Sequence, residues 1–171
     1  MIVLREEKAG DLEAIRAIHT QAFNRPDEGR LVDALRDAGL TRLSLVALVS
    51  SAPAGHILFS EIVLKTAKDP VSALALAPVA VRPEFQRRRL GRALILAGLR
   101  RVRELGHRIV LVLGEPEYYG RFGFTVELAR GVRSPWSGPH YMGLEFEPGA
   151  LEGLEAEAIY PPPFLPYSTS R

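Results

Sequence analysis

Val81-Arg82-Pro83-Glu84-Phe85-Gln86-Arg87-Arg88-Arg89-Leu90-Gly91-Arg92-Ala93-Leu94 gathers arginines where a helix begins. The apolar spacing predicts a helix that starts near Leu90 to Arg92 and runs through Ala93-Leu94-Ile95-Leu96-Ala97 to about Leu105. Positive charge is unfavourable at a helix N-terminus, by roughly 0.3–1 kcal/mol per residue, because the macrodipole is positive there too. Unpaired amide N–H groups and clustered guanidinium groups make sense together when an anion sits on both. The loop therefore reads as a site for a phosphorylated ligand. A basic, solvated helix start is the plainer alternative.

Outward from this loop, the flanking pattern is strand on either side. Ser72 to Val81 alternates small and large apolar residues as a buried strand does, with Pro78 expected to bulge or splay it because proline donates nothing to a ladder. After the helix, Gly106 reads as the C′ residue and Arg108 to Leu113 as a β-branched strand. The segment Leu74 to Leu113 is thus a right-handed parallel strand–helix–strand crossover. Upstream, Met1 to Arg5 reads as a strand, Asp11 as the N-cap of a helix from Leu12 to Phe23, and Asn24 to Gly29 as a polar break. Leu31, Val32 and Leu35 mark a second helix stopped at Gly39. Leu43 to Val49 and His56 to Leu64 read as strands around a hairpin turn at Ser50 to Gly55, and Lys65 to Pro70 as a second turn. Downstream, Pro116 to Arg121 suits one or two helical turns, and Phe122-Gly123-Phe124 leads into a strand. Gly131 to Pro139 reads as a loop and His140 to Glu147 alternates. Glu152 to Tyr160 fits either period, and Pro161 to Tyr167 reads as an extended proline-rich tail.

The chain has 171 residues, 47% hydrophobic and 25% charged, which fits a single soluble globular domain over 1–171 with 161–171 as the tail. Its net charge is only +2, so the basic character is local and suits a small anion better than a nucleic-acid backbone. The absence of cysteine excludes disulfides, thiolate metal sites and a cysteine acyl-enzyme. The four histidines (His19, His56, His107, His140) lack zinc-ligand spacing, so no metal is expected. Met1 to Glu7 lacks a secretory pattern, and no run approaches the ~18 apolar residues of a membrane span, so a cytoplasmic location without membrane contact is expected.

Val81 to Leu94 resembles the acetyl-CoA signature of the GNAT superfamily of N-acetyltransferases: Gln or Arg, two variable residues, Gly, one variable residue, then Gly or Ala. Gln86 and Gly91 match its ends, while Arg89 stands at the first glycine position, where positive φ would strain it. Tyr119-Gly120-Arg121-Phe122-Gly123-Phe124 resembles the family's second element, a tyrosine, three residues and Gly-Phe. The run Leu113 to Phe124, with Tyr160-Pro161 and Phe164 near the end, is similar to a bacterial branch of acetyltransferases. The resemblance implies an α/β fold with a mixed, mostly antiparallel, twisted sheet, helices on both faces, and the cofactor in a cleft between strands near Val81 and Leu111.

The resemblance also implies acetyl-CoA as cosubstrate and a small-molecule, peptide or protein amine as acceptor, attacked directly in a ternary complex. Residues Gln86, Arg87, Arg88, Arg89, Leu90, Gly91 and Arg92 would hold the diphosphate, and Val79, Ala80 and Val81 would pair with the pantetheine arm. Acetyl transfer needs a neutral amine, a donor for the oxyanion and a proton for the thiolate. By resemblance Tyr119 donates to the thiolate and the N–H near Val81 polarises the carbonyl. Tyr118 sits beside Tyr119, and only one can face the thioester. For the base, Glu115 at a strand end comes first, Glu61 second, then solvent; His56 and His140 are weaker candidates. Tyr160, Phe164 and Tyr167 could wall the acceptor pocket or simply cover a sheet edge. Two other readings stay open. One is an acyl-CoA sensor that needs neither Tyr119 nor a base. The other is a nucleic-acid binder using Arg87, Arg88, Arg89, Arg92, Arg100, Arg101 and Arg103. Amino acid, polyamine, antibiotic, peptide N-terminus and protein lysine all suit as acceptors, and a homodimer is one assembly the superfamily uses.

Overall fold

A computed structural model describes residues 1–168. The chain sorts into two compact units, one made of Met1–Ser60 and Leu76–Val102, the other of Glu61–Ala75 and the chain from Arg103 onward. Among the described residues no helix is long and apolar enough to cross a membrane. The sheet is mixed and mostly antiparallel: among the described strands the parallel pairings are Val71–Val81 with Ile109–Leu113 and Val132–Arg133 with Ala156–Ile159.

The first unit holds β1 (Ile2–Glu6), α1 (Leu12–Phe23), α2 (Asp27–Asp37), β2 (Thr41–Val49), the front of β3 (Ala52–Lys65), the end of β4 (Val71–Val81) and most of α3 (Leu90–Glu104). β1 pairs antiparallel with β2, and β2 with β3. The hairpin turn is tighter than expected. Ser50 and Ser51, at φ 47 and 71, make a two-residue connection, and Val49 pairs directly with Ala52. Consecutive positive φ values give the twist that antiparallel strands prefer, so Ala52 to Gly55 joins the ladder instead of the loop. The register shift between Ala47 and Leu48 falls opposite Pro53 and Gly55.

Asp11 stands at the N-cap position of α1 as expected, but its side chain makes no cap bond to the helix amides. Its carboxylate accepts from both terminal nitrogens of Arg5, at 2.7 and 3.0 Å, and from the Lys8 N–H at 2.6 Å. It fastens β1 to the helix entry, and the Arg5 contact holds its acid below the usual carboxylate range. The polar break is also shorter than expected. Asn24 turns left-handed at φ 57, and α2 begins at Asp27. Acidic Asp27 and Glu28 suit a helix N-terminus. Gly29 lies inside α2, facing Arg16 on α1.

α3 buries Leu90, Leu94, Ile95, Leu99 and Val102, the spacing its sequence predicts. Gly98 brings its backbone onto Phe59 of β3: a Cβ there would lie 2.5 Å from Cε2 and 2.9 Å from Cζ. Gly106, at φ 94, ends the helix as expected.

A buried polar chain crosses this unit. Ser44 Oγ donates to Glu7 Oε1 at 3.2 Å, His56 Nε2 lies 2.7 Å from Ser44 Oγ, and His19 Nε2 lies 2.8 Å from His56 Nδ1. A carboxylate can only accept. With Ser44 donating to it, His56 Nε2–H must donate to Ser44, and His19 Nε2–H to His56. Both histidines are fully buried. Burial lowers His19 to about 4 and pushes His56 well down, so both are neutral at neutral pH. His56 is therefore a structural residue and has no face to offer a substrate.

The second unit holds the rest of β3 and β4, β5 (Ile109–Leu113), α4 (Pro116–Tyr119), β6 (Val132–Arg133), β7 (Tyr141–Glu145) and β8 (Ala156–Ile159). β4 meets β5 in parallel at Leu74↔Val110 and Ala75↔Leu111, the pairing the crossover predicts. β7 pairs antiparallel with β5; β8 lies antiparallel to β3 and parallel to β6. No strand follows Phe124. Thr125 makes an isolated bridge to Gly143, and a 3-10 turn at Glu127–Ala129 follows, started by the Thr125 hydroxyl accepting from Leu128 N–H. The expected loop Gly131 to Pro139 contains β6, and the two-period stretch resolves to β8, with Ala156 and Ala158 inside. The tail is not extended: Pro162–Ser168 coils as a 3-10 helix. Phe164 is buried against the Tyr160 and Trp136 rings, which supply the apolar surface a solvated tail lacks. The tail's last residues, 169–171, lie outside the described residues.

Gly98→Ala gains about 1 kcal/mol of helix propensity, but the overlap with Phe59 costs about 1–3 kcal/mol. The variant is expected to unfold at lower denaturant than the parent, measured by circular dichroism. For the histidine pair, the unfolded chain binds protons from pH 6.5 downward while folded His19 waits until about 4. Stability is full above that window and falls as pH drops through it, by about 3 kcal/mol for His19 alone. Urea midpoints taken across this range should fall, and His19→Gln should flatten the trend.

Candidate active site

Two clusters carry the predicted site residues, one in each unit. In the first unit β4 is strand through Pro78, whose peptide bond with Ala77 is cis, and ends in half-buried Val79, buried Ala80 and half-buried Val81. Arg82 N–H donates to Ala54 C=O at 2.8 Å, and its guanidinium donates to Gln21 Oε1 at 3.1 Å. A 3-10 turn at Pro83–Phe85 follows. The Gln86 side chain then reaches back to Val81 C=O at 3.0 Å, tying the loop to the strand it left.

Arg87 and Arg89 both have left-handed backbone, φ 64 and 61. This conformation costs a non-glycine residue about 1–2 kcal/mol each. Arg89 C=O accepts from Ala93 N–H at 3.0 Å, so Arg89 stands at the helix entry. The amides of Leu90, Gly91 and Arg92 are then the first-turn donors that have no intrahelical acceptor. Alternating left-handed residues turn neighbouring N–H groups to one side, as anion-binding nests do. Arg87, Arg88, Arg89 and Arg92 are exposed around them, and Arg88 lies over the Phe85 ring at 5.6 Å. Strain, exposed donors and four guanidinium groups converge here, and an anion relieves the charge that otherwise opposes the helix dipole.

In the second unit the cluster is built on Gly114, just past β5. Glu115 caps α4 with Pro116 at the first helical position, and its C=O accepts from Tyr118 and Tyr119 N–H at 3.1 and 2.9 Å. This short helix folds the Tyr119 ring onto Gly114, where an added Cβ would lie 2.3 Å from Cε2. Phe124 and Tyr118 meet the ring edge-on at 5.8 and 5.1 Å. The choice between the two tyrosines thus falls to packing, and Tyr119 is the one held against the strand end. Burial, and then the nearby Tyr118, raises the Tyr119 hydroxyl to about 12. It is a protonated phenol at any physiological pH, suited to donate.

Glu115 has a side chain 78% exposed, and its Oε1 lies 3.9 Å from His140 Nδ1. Glu61 is half-buried on β3. Tyr160 and Phe164 pack with Trp136 in a three-ring cluster, and Trp136 Nε1–H donates to Tyr167 C=O at 3.3 Å. The Tyr160 hydroxyl lies 2.8 Å from that of Tyr141, which the sequence reading did not single out. Tyr160 and Leu165 also line an open groove of about 530 Å³ with Arg133, Ser134, Glu157 and Ile159. Gly114 was also missed; its signal was a glycine between the end of an apolar strand and Glu115-Pro116. Among the described residues no group of acidic or histidine side chains is placed to hold a metal.

The model of a GNAT acetyltransferase domain matches residues 3–126. An uncharacterized N-acetyltransferase of Escherichia coli, YjhQ, is 39% identical over 67% of this chain, and the match spans 64% of its own length. A second E. coli N-acetyltransferase, YhbS, is 30% identical over 80% of this chain and 81% of its own. The crystal structure of YhbS in complex with CoA superposes with a TM-score of 0.87 at 28% identity, covering 96% of this chain and 92% of that one. A GNAT-family acetyltransferase from Brucella melitensis, solved with acetyl-CoA, gives a TM-score of 0.80 at 31% identity over 96% and 98%. With its arginine turn at a helix start and its tyrosine after the next strand, the chain belongs to the GNAT acetyltransferase family.

Proposed function

We propose that the chain is an N-acetyltransferase that moves the acetyl group of acetyl-CoA to a primary amine by direct attack in a ternary complex. The observation that carries this reading is the left-handed backbone at Arg87 and Arg89 ahead of α3. A diphosphate seated on the N–H groups of this turn would offset that strain. The relatives crystallised with CoA and acetyl-CoA support the choice of ligand. The family match from residue 3 to 126 draws on both units, which supports treating the chain as one domain.

Gln86, Arg87, Arg88, Arg89, Leu90, Gly91 and Arg92 hold the diphosphate through main-chain N–H groups and guanidinium contacts. Val79, Ala80 and Val81 offer backbone to the amide-rich pantetheine arm, and the N–H near Val81 polarises the thioester carbonyl. Acetyl-CoA supplies the activated acyl group. Tyr119 stays protonated through the neutral range and gives its proton to the departing thiolate sulfur. The proton of the attacking amine leaves at the Glu115 end of β5, with Glu61 and solvent as the other routes considered.

Incubation with acetyl-CoA and a panel of primary amines, followed by an assay of free CoA, tests the activity. Calorimetry with CoA tests the binding. Binding without turnover on any amine would favour an acyl-CoA sensor; no heat on titration would remove the reading. Tyr119→Phe is expected to lower kcat by about 10²–10⁴-fold with CoA affinity unchanged, since it removes the acid and leaves the ring. Gly114→Ala places a methyl where the Tyr119 ring lies. Its kcat should fall toward that of Tyr119→Phe, with a stability loss of about 1–3 kcal/mol read by thermal melting.

A further inference from the structure

Gly114 carries more than the Tyr119 ring. Its N–H donates to His140 C=O at 3.0 Å, and its own C=O lies 3.2 Å from His140 Nδ1. A carbonyl oxygen can only accept, so Nδ1 must hold the hydrogen. The neutral ring then has its lone pair on Nε2. The side chain is 52% exposed. Titratable residues placed next to the imidazole include Glu115 at the entry to α4, Tyr119, whose ring packs on Gly114, and Tyr141, the next residue on β7. Of these, Glu115 is the charged one, with Oε1 3.9 Å from Nδ1. Its carboxylate lies on the Nδ1 side of the ring, and its own side chain is exposed. An imidazole with an oriented tautomer, a lone pair on Nε2 and an adjacent carboxylate is the usual form of a general base. Here it shares one glycine with a phenol placed to be the acid.

We propose that His140 is the general base of the acetyl transfer, with Glu115 holding its imidazolium as a positioning residue; the proposal rests on the acetyltransferase reading above. The amine nitrogen bonds to the thioester carbon and its proton passes to His140 Nε2. The C–S bond breaks and the sulfur takes the Tyr119 hydroxyl proton. His140 then releases its proton to water and Tyr119 regains one, so that amine and acetyl-CoA become amide and CoA with no other reactant. This moves the base from Glu115, where the sequence alone put it, to the ring that Glu115 faces.

The test is kcat/KM against pH on whichever amine the panel shows to be turned over. The wild type should show an acid limb of unit slope. His140→Gln should lose that limb and about 10²–10⁴-fold of the rate while binding CoA as the parent does. Added imidazole should restore turnover to His140→Gly. Glu115→Gln should lower kcat with the KM for acetyl-CoA unchanged, because the ring loses the carboxylate beside Nδ1. An unchanged limb and rate in His140→Gln would overturn the role of His140 and leave the transferase reading intact. Lost rate without imidazole rescue, together with weakened CoA binding, would make His140 structural and overturn it too. A wild type that binds CoA but acetylates no amine would remove both readings together.

Discussion

The turn from Gln86 to Arg92 is held against its own energetics, and much of the first unit serves to hold it. Two arginines in left-handed backbone cost about 1–2 kcal/mol each, and cations at a helix start add roughly 0.3–1 kcal/mol apiece. Such sums approach the whole stability of a small domain, about 5–15 kcal/mol. The loop survives because both its ends are anchored. Gln86 is bonded to Val81, Arg82 to Ala54 and Gln21, and α3 is sunk through Leu90, Leu94 and Ile95. A bound diphosphate would reverse the sign of the charge term, since the guanidinium groups that oppose the dipole alone would then bridge it to an anion.

In the proposed mechanism the second unit has a different task, that of presenting an acid and a base at one place. Gly114 does this by having no side chain. One face admits the Tyr119 ring, and both of its backbone polar groups engage His140. Burial separates the two chemistries. Tyr119 is packed among Tyr118, Phe122 and Phe124 and keeps its proton, while His140 stays half exposed with one nitrogen committed and one available.

Histidine shows how far placement governs role. His56 and His140 carry the same ring. His56 is enclosed by His19 and Ser44, neutral and fully buried, and contributes to stability above the pH at which the unfolded chain would protonate. His140, at a strand start, keeps a lone pair for a ligand. Arg5 with Asp11 makes the same point for charge. Asp11 has the composition of a helix cap, yet a bidentate arginine on β1 offers its carboxylate a stronger partner than the helix amides do.

Read from the chain alone, 3.6-residue spacing was sufficient for α1 and α3, which each bury one face, and apolar runs were sufficient for β2, β4 and β5, where consecutive residues are buried. The arginine-rich turn ahead of α3 was legible too, since charge, a helix start and Gln86 to Gly91 are local facts. Packing decided the rest. The turn at Ser50 and Ser51 follows from strand twist; the coiled tail follows from Trp136 and Tyr160; Tyr119 rather than Tyr118 follows from the gap at Gly114. The roles of His56 and His140 depended on partners 12 to 37 residues away. A sequence records what each side chain can do, but a tautomer, a proton affinity and an exposed lone pair are set by neighbours that only the folded chain brings together.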